Sequence, residues 1–170
     1  MKPLTSMAAS TAVFLCLAAL PAHALDAGQS VPDIELAGAT VAPRLAALKG
    51  KVVYVDFWAS WCAPCRQSFP WMNDMQQKYG AQGLQIVAVN VDAKRGDADQ
   101  FLTEVPARFA LAFDPQGDAA RRVGVKAMPT ALLVGADGKV VKVHQGFREQ
   151  DRAELEALLV AALASAKAQP

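Results

Sequence analysis

The sequence has few of the side chains that proteins use to bind metals. Its 170 residues contain three cysteines and two histidines, and one of each, Cys16 and His23, lies within the first 24 residues. A structural zinc site needs four protein ligands, so Cys62, Cys65 and the distant His144 would have to recruit carboxylates. The sequence therefore argues against a zinc site, and we expect neither a metal nor another cofactor.

The chain also lacks an excess of charge of either sign. It has 17 basic and 16 acidic side chains, and Lys2 is the only charged residue among the first 24. A balanced chain has no overall electrostatic attraction for nucleic acid or for an anionic membrane. We therefore expect no nucleic-acid partner, and protein partners have to be recognised by local chemistry.

The N-terminal hydrophobic run is too short to cross a membrane comfortably. As a helix, residues 7–20 would span only about 21 Å, against a hydrocarbon core of about 30 Å. The run follows Lys2 and precedes PAHA, which is the pattern of a secretory signal cleaved after Ala24. We predict a signal peptide at 1–24, one domain at 25–170 and export to the periplasm, with an uncleaved membrane anchor as the alternative.

The remaining two cysteines are separated by two residues in FWASWCAPC, and an oxidising compartment would keep them paired. If the pair begins a helix, its Cα atoms lie about 5 Å apart, within the range of about 4.4–6.8 Å that a disulfide prefers. Cys62 would face the positive helix end, which stabilises a thiolate, whereas Cys65 would be more buried. We predict Cys62 as the nucleophile and Cys65 as the resolving thiol.

Two other interpretations of the cysteine pair remain open. Two thiolates satisfy Cu(I), and Met72 and Met75 follow nearby, as a copper carrier would need. The three-residue spacing of these methionines is, however, typical of the buried face of a helix. A purely structural disulfide would close a four-residue loop and would constrain the unfolded chain very little.

Alternating apolar segments predict an α/β domain. The runs at 51–58 and 84–92 are too short for helices and too apolar for exposed strands, so we predict two buried strands. A helix at 62–79, kinked at Pro70 and stopped at Gly80, would connect them as parallel neighbours.

Further elements are predicted on both sides of this unit. Residues 25–50 are an entry segment with a peripheral strand or hairpin and one turn of helix. Residues 93–125 are an insertion, with one helix around DADQFLTEV, a brief apolar FALAF and a second helix around DAARRV. TALLV and KVVKVHQGF flank GADG, which is typical of an antiparallel hairpin. A last helix would bury a face formed by Leu155, Leu158, Leu159 and Ala162.

The segment VDFWASWCAPC resembles the thioredoxin superfamily. CRQSFPWM, VAVNVD and VGVKAMPTALLVGADGKV resemble its exported TlpA-like branch of disulfide reductases, and the resemblance covers about residues 30–165. It implies a thioredoxin-like fold, in which helices flank a central mixed sheet and a short insertion follows the second central strand. It also implies a thiol:disulfide oxidoreductase with an exposed cysteine at its active site, cycling between the disulfide and dithiol forms of Cys62 and Cys65.

The resemblance assigns a binding surface as well. MPT matches the family's cis-proline motif, so Pro129 is expected to be cis and opposite the disulfide. Met128, Pro129 and Thr130 would then line a groove where backbone groups pair with an extended substrate strand. Trp61 would cover the reactive edge and offer substrate an apolar contact, whereas Trp58 would pack in the core.

Asp56 interrupts an apolar strand six residues before Cys62. Tyr54 and Trp58, its neighbours by alternation, leave it little water, so burial should raise its pKa. It matches the acid that in thioredoxins accepts the proton of the second cysteine, and the alternative is a solvated carboxylate near a strand end. Ser68 stands where the TlpA-like branch commonly has a glutamate, which puts that acid chemistry in doubt.

The resemblance finally implies a direction of electron flow. Ala63 and Pro64 place no cation between the cysteines, as in reductants, so we expect a reductase of exported proteins that carry disulfides or CxxC thiols. Such a protein would act as a monomer, take electrons from a membrane donor and serve in cytochrome c maturation. A disulfide-donating oxidant is the alternative, because both classes share CxxC. His144 is expected at a surface or edge position without a role.

Overall fold

The computed structural model describes residues 25–168, and the predicted signal peptide lies outside them. Five strands form the centre of the molecule: β1 (Val52–Trp58), β2 (Leu84–Asn90), β3 (Ala110–Phe113), β4 (Thr130–Val134) and β5 (Val140–Gln145). Four helices accompany them: α1 (Ala63–Tyr79), α2 (Arg95–Glu104), α3 (Asp118–Val123) and α4 (Arg152–Lys167). No helix within these residues is both long and apolar enough to cross a membrane.

The strands form one mixed sheet in the order β3-β2-β1-β4-β5. β1 pairs in parallel with β2, and β2 with β3, whereas β4 runs antiparallel to both β1 and β5. The predicted β-α-β unit and the predicted hairpin are therefore confirmed. FALAF, predicted only as a brief apolar piece of the insertion, contributes β3 to the edge of the sheet.

Both faces of the sheet are covered, so all seven residues of β1 are buried. Successive side chains of a strand point to opposite faces. Tyr54 and Trp58 join the cluster that contains both cysteines and is packed by α1, α2 and α4, which we call the cysteine face. Val53, Val55 and Phe57 join the other cluster, which we call the N-terminal face.

The entry segment covers the N-terminal face. Glu35 pairs with Arg44 in an antiparallel bridge, and a 3₁₀ turn follows at Leu45–Leu48, as predicted. Its apolar side chains pack with the aliphatic residues of the sheet and with α3. The same segment bonds to both sheet edges, since Gly28 N donates to Val140 O (2.7 Å) and Phe113 N donates to Ala37 O (2.9 Å).

α1 ends at Tyr79, as predicted, but a 3₁₀ turn that was not predicted follows it. Pro70 lies inside the helix without ending it, and Gly80 adopts a right-handed helical conformation because its N–H still donates to Gln76 O. A 3₁₀ turn follows at Gly80–Gln82, and the left-handed residue is Gly83, with φ of 104°. Gly80 is therefore the C-cap of α1, which confirms the predicted helix end at Tyr79, and the 3₁₀ turn that follows ends at Gly83.

The buried stripe of α4 also differs by one residue. Leu155, Leu159, Ala162 and Leu163 are buried, whereas Leu158 is half-buried at the border of the cysteine-face cluster. The observed residues follow the spacing i, i+4, i+7 and i+8 of one helix face. Leu163 therefore replaces Leu158 in the predicted stripe.

Candidate active site

The two cysteines lie where β1 passes into α1. Residues 59–61 form a turn, and Cys62 is the N-cap of the helix, which starts at Ala63. Cys62 and Cys65 form a disulfide with their Cα atoms 5.3 Å apart, in agreement with the predicted helix start. Pro64 occupies the first turn, where an N–H would have no partner within the helix.

The sulfur of Cys62 faces the amides of the first turn. Cys65 N donates to Cys62 Sγ at 3.2 Å. Donors of this kind and the positive end of the helix favour a thiolate over a thiol. The geometry therefore supports Cys62 as the nucleophile once the disulfide is reduced.

The exposure of the pair differs from the expectation. Cys62 is 3% exposed and Cys65 is fully buried, so Cys65 is the more buried of the two, as predicted. The expectation of an exposed cysteine at the active site is wrong for the disulfide form. The reason is that Cys62 Sγ turns into the helix, towards Cys65. Trp61, 72% exposed, instead presents the large apolar surface next to the pair.

Asp56 lies on the cysteine face of β1, between Tyr54 and Trp58 by strand alternation. It is 1% exposed, and burial raises its pKa well above the ordinary value of an aspartate. Its neighbours across the sheet are Ala88 and Ala131, and its Oδ2 has no hydrogen-bond partner within residues 25–168. The alternative of a solvated carboxylate is therefore wrong, whereas the role of Asp56 as a proton acceptor stays a prediction.

Two further side chains belong to this buried region. Burial and the nearby Asp56 carboxylate raise the pKa of Tyr54, which strand alternation places beside Asp56 as predicted. Ser68 is 2% exposed and its hydroxyl donates to Cys65 O at 3.1 Å. Ser68 stands at the position where the TlpA-like branch commonly has a glutamate. It supplies a hydrogen bond to the helix backbone but no acidic group.

The proline motif lies at the same end of the sheet as the disulfide. The Met128–Pro129 peptide bond is cis, as predicted. Thr130 pairs with Phe57 of the antiparallel β1, so Pro129 precedes β4 at the end where the cysteine turn leaves β1. Met128 is half-buried against both core clusters.

Thr130 has a different place from the one expected. Its side chain is 2% exposed, and its hydroxyl donates to Ala127 O at 2.7 Å. Gly146 N donates to Pro129 O at 2.8 Å. Thr130 therefore holds the proline loop and does not line a surface, because its hydroxyl is already bonded, whereas roles for Met128 and Pro129 in binding stay predictions.

The turn before Cys62 is bound to the end of β2. Ser60 N donates to Asp92 Oδ2 at 2.8 Å, and Ser60 Oγ donates to Asp92 Oδ1 at 3.0 Å. Sequence reasoning missed this pair. The signal available was the polar end of VAVNVD, since polar groups at the carboxyl end of a parallel strand lie beside the ends of its neighbours.

The residues considered for other roles lie elsewhere. Met72 and Met75 are 0% and 5% exposed in the core, so their spacing reflects packing and not copper ligation. Trp58 is fully buried, with its ring 4.9 Å from that of Phe69, which confirms its core position. His144 lies on the edge strand β5 with its side chain 17% exposed, and residues 25–168 contain no cluster of three or more potential metal ligands.

The chain has a disulfide at a helix start, a cis-proline at the same end of a mixed five-stranded sheet, and a buried acid on the sheet face that carries the cysteines. These are the features of a thiol-disulfide oxidoreductase with a thioredoxin-like fold. The Redoxin family model matches residues 26–159. The chain belongs to the Redoxin family, and it is a thiol-disulfide oxidoreductase.

Curated relatives agree with this assignment. The thiol-disulfide oxidoreductase ResA of Bacillus thuringiensis subsp. konkukian is 32% identical over 138 residues, which cover 79% of this chain and 78% of ResA. ResA of Oceanobacillus iheyensis is 33% identical over 134 residues, which cover 75% of this chain and 69% of ResA.

Solved structures agree as well. A thiol:disulfide interchange protein DsbE from Chlorobium tepidum is 56% identical with a TM-score of 0.79, over 82% of this chain and 99% of that one. A protein disulfide isomerase from Bacteroides thetaiotaomicron, 24% identical with a TM-score of 0.74 over 82% of this chain and 91% of that one, shows the same fold.

Proposed function

We propose that this oxidoreductase is exported to the periplasm and donates electrons to disulfides of exported partner proteins, with cytochrome c maturation as its setting. The observation that carries the direction is the buried carboxyl group of Asp56, on the same face of the sheet as the cysteines and with no hydrogen-bond partner for its Oδ2 within residues 25–168. Oxidants and reductants of this type differ in how far the reduced thiolate is stabilised.

The charges around the pair disfavour a stable thiolate. A buried carboxyl group on the cysteine face resists a second negative charge nearby. Arg66, which directly follows Cys65, is held elsewhere, because its Nη1 donates to Glu104 Oε2 at 2.7 Å and its guanidinium lies 4.8 Å from the ring centroid of Phe101. The helix start remains as the source of thiolate stabilisation, and the reduced form is therefore a good electron donor.

The reaction proceeds in two exchanges. The thiolate of Cys62 attacks one sulfur of the partner disulfide, which forms a mixed disulfide and releases the other partner sulfur as a thiolate. Cys65 then loses its proton and attacks Cys62 Sγ, which restores the Cys62–Cys65 disulfide and releases the second partner thiol. The partner gains two electrons, and the enzyme loses two.

Asp56 takes up the proton of Cys65 in the second exchange. Burial raises the pKa of Asp56, so its carboxylate accepts a proton more readily than that of an ordinary aspartate. Ser68 cannot replace it, because a serine hydroxyl does not ionise at neutral pH and its proton already serves Cys65 O. This scheme makes Asp56 the single acid of the site.

The partner lies between Trp61 and the proline loop. The exposed indole of Trp61 supplies apolar contact area on one side of the cysteines. The backbone of Met128 supplies hydrogen bonds on the other, in the manner of an added strand. Thr130 and Gly146 hold this loop in place.

Export is supported by the signal-like pattern of 1–24. A reductant in an oxidising compartment needs a supply of electrons, so we propose a membrane reductase as donor. Isolation of the mature protein from periplasmic extracts, with its N-terminus determined, tests the first point. An N-terminus at Leu25 is expected, and retention of residues 1–24 on a membrane-bound form would favour the anchor.

The reduction potential tests the direction. Equilibration with glutathione is expected to give a potential of about −270 to −200 mV. A value more positive than about −150 mV would make the protein a disulfide-donating oxidant.

A further inference from the structure

The turn that carries Cys62 is held by a carboxylate from another strand. Both donors of Ser60, its backbone N–H and its hydroxyl, bond to the two oxygens of Asp92 at 2.8 and 3.0 Å. Ser60 precedes Cys62 by two residues, and Cys62 N in turn donates to Ala59 O at 3.1 Å. The position of Cys62 therefore depends on a turn with Asp92 as its fixed support.

Asp92 is itself held rigidly. Asn90 Nδ2 donates to Asp92 Oδ2 at 2.7 Å, and Asp92 N donates to Asn90 Oδ1 at 3.1 Å. Asn90 is 1% and Asp92 6% exposed, and Val91 N donates to Trp58 O at 2.9 Å. Every partner of the carboxylate is a donor, which suits a group that only accepts.

We propose that Asp92 is a positioning residue for disulfide exchange, which acts through Ser60 to keep Cys62 at the start of α1 and Trp61 beside it. Loss of the carboxylate frees the turn, and the sulfur of Cys62 leaves its place next to the Cys65 amide. The proposal rests on the disulfide exchange that the family carries out, and it does not depend on the proposed direction of electron flow.

Substitutions at Asp92 and Ser60 separate hydrogen bonding from charge. Asp92→Ala removes both bonds to Ser60. Asp92→Asn removes the charge but keeps the bonds, since the amide oxygen can accept from Ser60 N–H while its NH₂ group donates to the Ser60 hydroxyl. Ser60→Ala removes only the hydroxyl bond.

Asp114 provides the matched control. It is 7% exposed at the end of β3, the next strand in the sheet, and its Oδ2 accepts from Ala120 N at 2.9 Å. Asp114→Ala thus removes a similarly buried carboxylate with a similar bond from a backbone N–H, but one that Ala120 donates and not Ser60. Both alanine variants are expected to lower the melting temperature.

The measurement is the rate constant for reaction of each reduced protein with oxidised glutathione, followed from pH 5 to 9. Asp92→Ala is expected to react about 10-fold more slowly, because a misplacement of about 1 Å can cost up to about 100-fold. The rate constants of Asp92→Asn and Asp114→Ala are expected to stay close to that of the unmodified protein. The rate constant of Ser60→Ala is expected to lie between those of the unmodified protein and Asp92→Ala.

Two results would overturn the proposal. One is an Asp92→Ala rate equal to that of Asp114→Ala, and the other is an Asp92→Asn rate as low as that of Asp92→Ala. If Asp92→Ala does not fold, the rate constant of Ser60→Ala is the test. A rate constant equal to that of the unmodified protein would then reject the proposal. Failure of the unmodified protein to react with glutathione would contradict disulfide exchange itself, which keeps the two failures distinct.

Discussion

The two faces of the central sheet differ in the polar atoms that they bury. Residues 25–168 contain five buried side-chain atoms without a hydrogen-bond partner: Asp56 Oδ2, Trp58 Nε1, Trp71 Nε1, His144 Nε2 and Arg152 Nε. The two indoles belong to the cysteine-face cluster, Asp56 shares their face of the sheet, His144 pairs with Ala131 of that cluster, and Arg152 begins α4, which packs there. The N-terminal face packs aliphatic side chains of the sheet against the entry segment and α3. Its core residues are mainly valine, leucine, isoleucine and alanine.

This difference suggests that the N-terminal face serves the stability of the fold and that the cysteine face also serves the redox reaction. An unpaired buried polar group costs about 1–3 kcal/mol, so such atoms lower the stability that the cysteine face contributes. Proteins keep such groups where their altered pKa values or strained surroundings are used. We therefore expect substitutions on the N-terminal face to change stability alone, and substitutions on the cysteine face to change the redox reaction as well.

The largest effect is expected at the disulfide. Cys62→Ser should lower the rate of disulfide reduction by at least about 1000-fold, because it removes the attacking thiolate. Cys65→Ser is the matched variant, since attack by Cys62 continues but resolution stops, and a mixed disulfide with the partner accumulates. Non-reducing gels after incubation with an oxidised partner report both outcomes. Normal insulin reduction by either variant would reject these roles.

Neighbouring leucines of β4 compare the two faces directly. Leu132 lies on the N-terminal face and Leu133 on the cysteine face, opposite Tyr54, and both are buried. Each leucine-to-alanine change should cost about 2–5 kcal/mol of unfolding free energy, measured by urea titration. Only Leu133→Ala should also lower the pKa of Asp56 by admitting water near it. Equal effects of both changes on the titration of Asp56 would remove the distinction.

Asp56→Asn should separate the effect of the buried acid on stability from its role in disulfide exchange. In exchange assays below about pH 8 the variant should be slower by about 10-fold or more and less dependent on pH, because the acceptor of the Cys65 proton is gone. An unchanged pH profile would show that another group takes this proton.

The same variant should be more stable than the unmodified protein at neutral pH. Burial raises the folded-state pKa of Asp56, so the folded protein retains a proton that the unfolded chain releases above about pH 4. The unfolding free energy of the unmodified oxidised protein therefore falls as pH rises from there through the folded-state pKa. The two proteins should converge at about pH 3, and a variant less stable at pH 8 would contradict burial of an unpaired carboxyl group.

The smallest effect is expected at Trp61, the exposed part of the cysteine face. Trp61→Ala should change the unfolding free energy by less than about 0.5 kcal/mol, since the side chain is 72% exposed. It should weaken capture of a partner protein several-fold, as measured by the yield of mixed disulfide with a Cys65→Ser background, while reaction with glutathione stays unchanged. If the variant reacted equally more slowly with the partner protein and with glutathione, Trp61 would act in disulfide exchange itself and not in partner binding.

Much of the fold was predictable because its signals are local. The runs of β1 and β2 are apolar throughout, α1 has its apolar residues at helical spacing, and GADG separates two short strands. The burial of Asp56 was predictable too, since strand alternation places it between Tyr54 and Trp58. The thioredoxin-like fold and the activity followed from a resemblance carried by contiguous motifs.

The errors concern the directions and hydrogen bonds of individual side chains, which the sequence pattern does not fix. Thr130 looked like part of a binding surface, but its hydroxyl is bonded within the proline loop. The support of Ser60 by Asp92 was not predicted, because it joins residues 32 apart and depends on the register in which Trp58 pairs with Asn90. The burial of Cys62 depends likewise on the direction of its sulfur at the helix start.

The sequence by itself determined the disulfide chemistry, because two cysteines separated by two residues at a helix start are within bonding distance whatever surrounds them. It also determined the alternation that buries an acid in β1. The tertiary structure alone decided which face of the sheet carries the unpaired polar atoms and which carboxylate supports the cysteine turn. Those features arise from the pairing of strands and the packing of helices, and such contacts depend on the three-dimensional arrangement of residues far apart along the chain.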